Sequence, residues 1–487
     1  MAIKRRLSPY SKYVDELTAE DISELSHIKR FLECFGGDKD FREEALSGER
    51  SLEDLAAERG CFIMGLDSLR PVFDPDFAHF RADATPETWP LTAKWDEYFL
   101  LMRNTLEFYK WEGDSKGWFP EFDKWRSSQI VRTFVEVGPS SASLVHPAVA
   151  FELSDGCSVG CWFCGISAEK FKGHFALDGQ GKEFWREILE SVQNLLGSAI
   201  NTGFCYWATE PLDHPDYDQF IDEYFDVTGV MPQTTTAIPL KNVELTRKVL
   251  ERWSKSRYLV NRFSILTTKI MRRVHSEFTA EELFGVELVL QGKDSLVPKS
   301  TAGKAYASQG KILDKKKFDN MQDGTIACVT GFLINLPKKT VRLVSPTLPS
   351  EDWPNGYYVF SSKKFETPKD LHNKMRNMVK EQIDRRLKGN QNVKVADGHW
   401  FEGSDGQYRV RDKKSGFSVE VFDVYAPLIK AGNVTPNTLL KEAIKAGYDP
   451  ISAMKVLNDL NAMGLIGDSL KPPKGITESM MQFPELN

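Results

Sequence analysis

The sequence predicts an α/β fold built around a partial (βα) barrel, with a helical N-terminal domain before it and a domain of strands and helices after it. Three observations predict this architecture. Apolar residues recur at helical spacing within residues 1–75, strand-like and helical stretches alternate between residues 146 and 349, and strand-like stretches precede helices beyond residue 397. The alternating part contains fewer than eight clear βα units, which favours an open barrel over a closed one.

The chain of 487 residues is long enough for about three domains, with shorter connecting segments between them. We expect a helical domain, an aromatic-rich helical connector, the partial barrel, a helical linker, a second small domain and a tail, at residues 1–75, 76–145, 146–349, 350–396, 397–470 and 471–487. The aromatic side chains of the connector are typical of packing between domains rather than of a ligand site.

The N-terminal domain is predicted to be helical from its apolar spacing and its capping residues. An apolar stripe at residues 25–35 indicates one helix, Gly36 and Gly37 end it, and Asp38 caps the next one. Ser51 opens a further helix. The pattern FLECFGGDKDFREEAL resembles the nitrile-hydratase-like leader peptides that precede some ribosomally made peptides, so this domain is either leader-like or an ordinary helical cap on the barrel.

The barrel is predicted from strand-like stretches that follow one another with helical stretches between them. The candidate strands are 146–152, 201–209, 233–239, 260–268, 287–291 and 325–336. Because the chemistry of βα barrels lies at the carboxyl ends of their strands, the residues that follow these stretches are the candidate functional positions.

The C-terminal domain is predicted from two strand-like stretches, 407–411 and 418–422, that precede helices and a short return strand. This order resembles a winged helix, and more closely the peptide-recognition element found beside peptide-modifying enzymes. One predicted helix carries only Lys441 and Lys445, too little positive charge for reading DNA, so peptide recognition is favoured over DNA binding. A module of this kind binds a leader peptide by strand addition at a sheet edge.

Net charge and cysteine content limit which cell compartment and which binding partners we expect for the chain. A net charge of −6 and a pI near 5.9 provide no global positive field for nucleic acid. Seven cysteines, odd in number and dispersed outside one loop, argue against a disulfide framework and for a reducing compartment. The start MAIKRRLSPY lacks an apolar signal region, and no segment approaches the length of a membrane span. We therefore expect a cytoplasmic protein with neither nucleic acid nor membrane as a partner.

The most specific motif is a run of three cysteines, Cys157, Cys161 and Cys164, just after the first predicted strand of the barrel. Three thiolates at this spacing can hold three irons of a [4Fe–4S] cluster and leave the fourth iron open to chelate a small molecule. The alternatives are a zinc site or three buried cysteines. Zinc normally recruits four ligands from paired motifs, and the chain has no second CxxC and no HxxxH.

With Phe163 before the last cysteine, this loop resembles the signature of the radical S-adenosylmethionine (SAM) superfamily. The resemblance implies a [4Fe–4S] cluster with SAM on its open iron and Phe163 in the cofactor site. Ala208, Thr209 and Glu210 stand where that superfamily usually has Gly-Gly-Glu, which implies backbone and carboxylate contacts to the SAM amino group; an ordinary strand end before a proline is the alternative. Ser264, on a later predicted strand, is a candidate contact for the ribose or carboxylate of SAM, or an ordinary strand serine.

Cys328 lies in the last predicted strand of the barrel, where a thiol can reach a bound substrate; a buried structural cysteine is the alternative. The stretches ELSDGCSVGCWFCG, YWATEPLDHPDY, QTTTA and ACVTGFLIN resemble the radical SAM epimerases of ribosomally made, proteusin-type peptides, the PoyD and OspD group. The resemblance implies conversion of L- to D-residues by abstraction of the Cα hydrogen. In that family a cysteine outside the cluster returns the hydrogen, and Cys328 matches that role best.

The same resemblance implies two partners, a precursor peptide with its leader and an electron donor such as flavodoxin or ferredoxin. Two other functions stay open at this point. One is a radical SAM enzyme that crosslinks a peptide and has no need of a hydrogen-donating cysteine. The other is a non-catalytic peptide-binding scaffold in which the cluster is structural.

Overall fold

The structure is a computed structural model, and it describes residues 7–308, 321–322, 324–383, 387, 389–396, 399–404, 407–412 and 418–467 of the 487-residue chain. It shows a mixed α/β fold with several small sheets. Within these ranges, no helix combines the length and the apolar character that crossing a membrane requires. The predicted tail at 471–487 lies outside the described residues.

Helices precede the strands, alternate with them and follow them. The α-helices are α1 (Pro9–Glu16), α2 (Ala19–Gly37), α3 (Lys39–Ser47), α4 (Leu52–Ala57), α5 (Arg70–Phe73), α6 (Pro90–Glu112), α7 (Pro120–Val137), α8 (Gly179–Leu196), α9 (Tyr217–Thr228), α10 (Val243–Trp253), α11 (Thr268–Glu277), α12 (Lys304–Ser308), α13 (Pro368–Ile383), α14 (Tyr425–Ala431), α15 (Pro436–Lys445) and α16 (Pro450–Ala462).

The strands are short and are distributed over five sheets in the described ranges. They are β1 (Val149–Glu152), β2 (Ser154–Asp155), β3 (Gly173–His174), β4 (Thr235–Thr236), β5 (Asn261–Ile265), β6 (Val286–Leu290), β7 (Lys299–Ser300), β8 (Met321–Gln322), β9 (Gly331–Asn335), β10 (Thr340–Pro346), β11 (Tyr357–Lys364), β12 (His399–Ser404), β13 (Gln407–Asp412) and β14 (Ser418–Val421).

Two of these sheets contain parallel strands in five of the six predicted stretches. The sixth, 201–209, is wrong as a strand: it is 3-10 helix as far as Thr202 and then forms one isolated bridge, at Phe204. Strands β4, β5 and β6 pair in parallel with α10 and α11 between them. Strand β9 pairs in parallel with β1, and Ala150 of β1 also bridges in parallel to Phe204 on its other edge. Strands β10 and β11 extend the first sheet in antiparallel order. These parallel strands with helices between them are the units of a βα fold. The barrel that would join the two sheets stays a prediction.

The sheet around β1 separates two apolar clusters. On one face, helices α8, α9 and α13 pack against the sheet through side chains such as Trp185 and Phe151. On the other face, Ala150, Phe204 and Leu333 form a smaller cluster, which we call the inner cluster. This separation follows from the alternation of side chains along a strand, which sends neighbouring residues to opposite faces.

The N-terminal helices begin and end where the capping residues predict. Thr18 caps α2 through a capping box, Asp38 caps α3 after the α2 helix ends at Gly37, and the Ser51 hydroxyl accepts the N–H of Asp54 at the start of α4. Their apolar faces share one cluster with Val260 and Phe284, which belong to the predicted barrel segment. The helical part is therefore packed directly on the βα part.

The C-terminal part contains three antiparallel strands, β12 to β14, followed by α14, α15 and α16. Ile466 returns to bridge Val395, which agrees with the short return strand expected there. The range 350–396, expected to be a helical linker, differs from the expectation. It contains β11 as well as α13, because β11 pairs with β10 along its length and completes the first sheet.

Candidate active site

The cysteine loop, residues 153–170, leaves the carboxyl end of β1 and folds back on itself. The Cys157 N–H donates to the Glu169 carbonyl at 2.9 Å, and the Cys164 N–H donates to the Cys161 carbonyl at 3.2 Å. All three cysteines are half-buried and free of disulfides. The loop therefore holds three free thiols at the carboxyl end of a parallel strand, where βα proteins carry their chemistry.

Backbone N–H groups surround two of the three cysteine sulfurs, and burial opposes their effect on the pKa of the Cys157 thiol. The N–H groups of Val159 and Gly160 are directed at the Cys157 thiol, and the Ala168 N–H lies 3.3 Å from the Cys164 sulfur. Burial raises the pKa of Cys157 to about 11, and a ligating thiol must lose its proton. N–H groups aimed at a sulfur stabilise the thiolate that ligation requires. Among the described residues, no three His, Cys, Asp or Glu side chains converge on a single metal ion, and a cluster needs no such point because each thiolate binds a different iron.

Two later segments pack against the end of the cysteine loop. The Lys304 N–H donates to the Cys164 carbonyl at 2.9 Å. The Ile326 side chain lies against Gly165, where an added Cβ would come within 2.6 Å of it. Ile326 is two residues before Cys328, and Gly165 directly follows Cys164. The second contact therefore brings the Cys328 segment to the end of the cysteine loop.

Glu210 is buried, with 3% of its surface exposed, and its carboxylate accepts three hydrogen bonds. The Thr236 hydroxyl donates at 2.5 Å and the Leu212 N–H at 3.1 Å to one oxygen, and the Ala237 N–H donates at 2.8 Å to the other. Burial raises the pKa of Glu210 to about 7. The negative charge of Glu210 also raises the pKa of the Cys157 thiol, so the two groups lie near each other. The structure therefore brings the Glu210 motif, the QTTTA motif and the cysteine loop together.

Ala208 and Thr209 directly precede Glu210. The backbone N–H of Ala208 already donates a hydrogen bond within the protein. The Ala208 N–H donates to one Glu152 oxygen at 3.0 Å, while the Asn335 amide donates to the other at 2.9 Å. Thr209 is half-buried. Sequence reasoning missed Glu152, although its place as the last residue of a predicted strand is a signal that could have found it.

Asp213 is a second residue that sequence reasoning missed. The Ser158 N–H and hydroxyl donate to its two carboxylate oxygens at 2.9 and 2.5 Å, and Lys241 forms an ion pair with it at 3.1 Å. Asp213 therefore ties the cysteine loop to the segment that follows Glu210.

The remaining predicted cofactor residues, Phe163 and Ser264, lie on different elements. The Phe163 ring packs edge-on against Trp162 with centroids 5.4 Å apart. Ser264 is half-buried on β5, faces the same side as Arg262 and makes no side-chain hydrogen bond within the described part of the chain. The contact of Ser264 with SAM stays a prediction.

Cys328 is predicted within a strand, but the structure places it three residues before β9, half-buried and packed against the inner cluster. Burial raises the pKa of Tyr206, and Cys328 lies close enough to that side chain to raise it further. Burial raises the pKa of the Cys328 thiol to about 11, although the nearby Arg262 guanidinium lowers it. The thiol is therefore protonated at neutral pH and carries the S–H bond that a hydrogen donor needs.

Cys205 has a different environment, although it lies close to Glu210 in the sequence. It is fully buried in the cluster on the helix side of the sheet, near Tyr217 and Tyr224. Burial raises the pKa of its thiol. Its neighbour Tyr206 faces the opposite side, as the alternation of a strand predicts.

Replacing Thr236 with valine is expected to destabilise the fold by about 1–3 kcal/mol at pH 8, because it removes an O–H donor from a buried carboxylate. Burial holds the pKa of Glu210 at about 7, so in the folded protein this carboxyl is mostly ionised at pH 8 and protonated at pH 5. A hydrogen bond to a charged oxygen is the stronger one, so the loss is expected to be smaller at pH 5. Urea unfolding at both pH values measures the difference.

The sign of this pH dependence follows from proton linkage at Glu210. The folded-state pKa of about 7 lies above the ordinary value of 4.5, so the folded protein binds more protons and its stability falls as the pH rises between these two values. Valine at position 236 raises the folded-state pKa further and extends this fall to higher pH. Equal losses at pH 5 and pH 8 would show that Thr236 does not act through the Glu210 charge.

No protein-family model matches the chain. It is 36% identical over 461 residues to the uncharacterized protein y4wI from Sinorhizobium fredii (strain NBRC 101917 / NGR234), which covers 93% of this chain and 89% of that protein. Among solved structures, BtrN in complex with AdoMet and 2-DOIA aligns with 40% of this chain and 72% of its own at 13% identity, and the TM-score of 0.27 is too low to support an argument about fold or function.

Proposed function

We propose that this chain, which belongs to the same family as protein y4wI of Sinorhizobium fredii, is a radical SAM enzyme that converts L-residues of a ribosomally made precursor peptide to D-residues. The observation that carries the proposal is the approach of two cysteine-bearing segments. The loop with Cys157, Cys161 and Cys164 follows β1, and the segment before Cys328 packs against Gly165 at the end of that loop.

The residues of the chain take distinct roles in this proposal. Cys157, Cys161 and Cys164 would hold the [4Fe–4S] cluster, and the Glu210 carboxylate would bind the amino group of SAM. When bound, the cluster and SAM would supply the chemistry that abstracts the Cα hydrogen of an L-residue. That hydrogen would end in 5′-deoxyadenosine.

Cys328 then determines the stereochemical outcome. Its S–H bond breaks, and the hydrogen atom forms a new bond to the planar Cα from the opposite face, which gives a D-residue. The sulfur is left one hydrogen short and recovers an electron from a protein donor such as flavodoxin or ferredoxin and a proton from solvent. The apolar neighbours of Cys328 in the inner cluster limit the access of water and of other donors.

The C-terminal part supports a peptide as the substrate. The three antiparallel strands β12 to β14 followed by three helices have the order expected of a peptide-recognition element. A sheet of three strands has two edges with unpaired backbone groups, and an extended leader peptide can bind to such an edge. We therefore propose the precursor with its leader as the binding partner.

The proposed activity is tested under anaerobic conditions with reconstituted enzyme, SAM, a reductant and the precursor encoded beside the gene, in deuterated water. We expect 5′-deoxyadenosine, one deuterium at Cα of each converted residue, and D-residues at the labelled positions. Mass spectrometry and chiral amino-acid analysis measure these products. Because the Cys328 thiol exchanges its proton with solvent, the label reports the second hydrogen transfer.

Other outcomes of this experiment overturn the proposal in different ways. 5′-Deoxyadenosine with a loss of two hydrogens from the peptide and no label points to crosslinking. Binding of the precursor without any SAM cleavage points to a scaffold with a structural cluster.

Removing the leader from the precursor is expected to raise KM at least about tenfold while kcat changes less, because the leader contributes binding energy away from the reacting residue. Steady-state rates of D-residue formation with the full precursor and with its core alone measure the two constants. Adding the free leader in trans is a control for competition at the same site. Equal KM values for the two substrates would show that the leader is not recognised.

A further inference from the structure

A row of polar side chains crosses the sheet of β4, β5 and β6. The strand register sets Thr235 of β4, Arg262 of β5 and Glu287 of β6 side by side. The neighbouring residues along these strands, such as Phe263 and Leu288, are buried in an apolar cluster that includes side chains of α11. Because side chains alternate along a strand, the polar row lies on the opposite face of the sheet, away from α11.

This polar row continues toward Cys328 through Tyr206. The Tyr206 hydroxyl shares a hydrogen bond with the Thr235 hydroxyl at 2.7 Å and donates to the Gln233 side-chain oxygen at 2.5 Å. Burial raises the pKa of Tyr206 and of Cys328, and the positive charge of Arg262 opposes this rise in both. Tyr206 and Cys328 also pack against the same inner cluster. The Arg262 guanidinium therefore lies near the Cys328 thiol.

Only one end of the Arg262 guanidinium is engaged within the described part of the chain. Its Nε donates to a Glu287 carboxylate oxygen at 2.7 Å, and neither terminal nitrogen has a hydrogen-bond partner among the described residues. The side chain is 36% exposed, so a ligand can reach it. A guanidinium carries its N–H donors in a fixed plane, and the donors on the terminal nitrogens can bind an oxygen of a ligand.

The charges around Arg262 indicate which kind of oxygen fits these donors. Glu287 already places one negative charge at Nε, while the Cys328 thiol is protonated at neutral pH and carries none. A carboxylate from a ligand would leave a net negative charge at a partly buried position, which is costly. A neutral carbonyl oxygen adds no charge and accepts the same N–H groups. A peptide offers one such oxygen at every residue.

We propose that Arg262 binds the substrate peptide by donating hydrogen bonds to the backbone carbonyl oxygen of the residue to be inverted. This inference rests on the proposed function, because it takes the substrate to be a peptide. The carbonyl carbon is bonded directly to Cα, so a group that holds this oxygen also restricts which face of Cα is turned toward Cys328. Glu287 holds the guanidinium through Nε and leaves the terminal donors for the peptide. Arg262 transfers no hydrogen in this role.

Binding of a fluorescein-labelled core peptide, without leader, to the full-length protein tests this role in the absence of SAM and reductant. Arg262→Met keeps a long side chain and removes the donors, so we expect binding to weaken at least about tenfold. Arg262→Lys restores the charge with a single point donor and should recover part of the loss. Arg247→Met removes an exposed, ion-paired arginine on α10 and is the matched control, which should bind like the wild type.

Glu287→Gln separates peptide binding from the ion pair. This variant removes the negative charge beside Nε and keeps the Arg262 donors, so it should weaken peptide binding by less than about threefold. Glu287 is 47% exposed, and an exposed ion pair contributes little to stability, so both variants should keep the fold. Circular dichroism checks the fold of each variant.

A precursor with deuterium at Cα provides a second measurement, now during the reaction. The wild type is expected to move deuterium from the peptide into 5′-deoxyadenosine. In Arg262→Met the Cα is held less firmly, so the deuterated fraction of 5′-deoxyadenosine should fall at least about fivefold. Mass spectrometry of the nucleoside measures this fraction, which a purely structural role of Arg262 would leave unchanged.

The proposal is overturned by unchanged peptide affinity in folded Arg262→Met, or by a wild type that shows no measurable binding of the core peptide. Equal losses of affinity in Arg262→Met and Glu287→Gln would show that Arg262 serves only the ion pair. Weaker SAM binding with unchanged peptide binding in Arg262→Met would assign the guanidinium to SAM. A wild type that binds the core peptide through Arg262 but forms no D-residues would overturn the proposed activity and support the binding role.

Discussion

Replacing Cys161 with alanine is expected to reduce the bound iron and sulfide and the formation of 5′-deoxyadenosine to background. Cys161 lies between Cys157 and Cys164 in the loop, and the three half-buried thiols are the donors that the loop offers to a cluster. A cluster held by three cysteines has no spare protein ligand, so the loss of one thiolate removes its support. Iron and sulfide analysis with the absorbance spectrum after reconstitution measures the cluster, and chromatography measures the nucleoside.

Cys205→Ala is the matched control for this experiment. Its thiol is fully buried in the cluster on the helix side of the sheet, so the variant should keep the cluster and lose about 1–2 kcal/mol of stability. Normal iron content and normal 5′-deoxyadenosine in the Cys161 variant would contradict the proposed ligand set. Loss of the cluster in both variants would indicate unfolding, which circular dichroism distinguishes.

Replacing Cys328 with alanine is expected to leave SAM cleavage largely intact and to reduce the yield of D-residues by at least about a hundredfold. The variant keeps the cysteine loop and Glu210, so the first hydrogen is still removed. The thiol that the structure places in the inner cluster is gone, and alanine has no weak S–H bond to donate. Chiral analysis of the peptide and the deuterium content at Cα measure the effect.

The comparison of products separates the role of Cys328 from a packing effect. A half-buried cysteine can be replaced by alanine at a modest cost in stability, so the melting temperature should change little. Cys328→Ser keeps the size and an exchangeable hydrogen but has a stronger O–H bond, and it is expected to fail as alanine does. D-residues at the normal rate in either variant would remove Cys328 from the mechanism.

The sequence by itself determined the local features of this protein. The caps at Asp38 and Ser51 and the end of α2 at Gly37 depend on hydrogen bonds within a few residues, so the residue types were enough to predict them. The alternation of strands and helices, and the place of the cysteine loop after β1, follow from apolar periodicity in short windows.

Only the tertiary structure decided which of these local features meet. The pairing of β9 with β1 joins residues about 180 positions apart, and β11, at residues 357–364, extends the same sheet where a helical linker was expected. The contacts of Thr236 with Glu210 and of Ile326 with Gly165 are of the same kind. Strand pairing and burial between distant segments depend on the whole packed core, and one-dimensional spacing contains no information about which distant edges will pair.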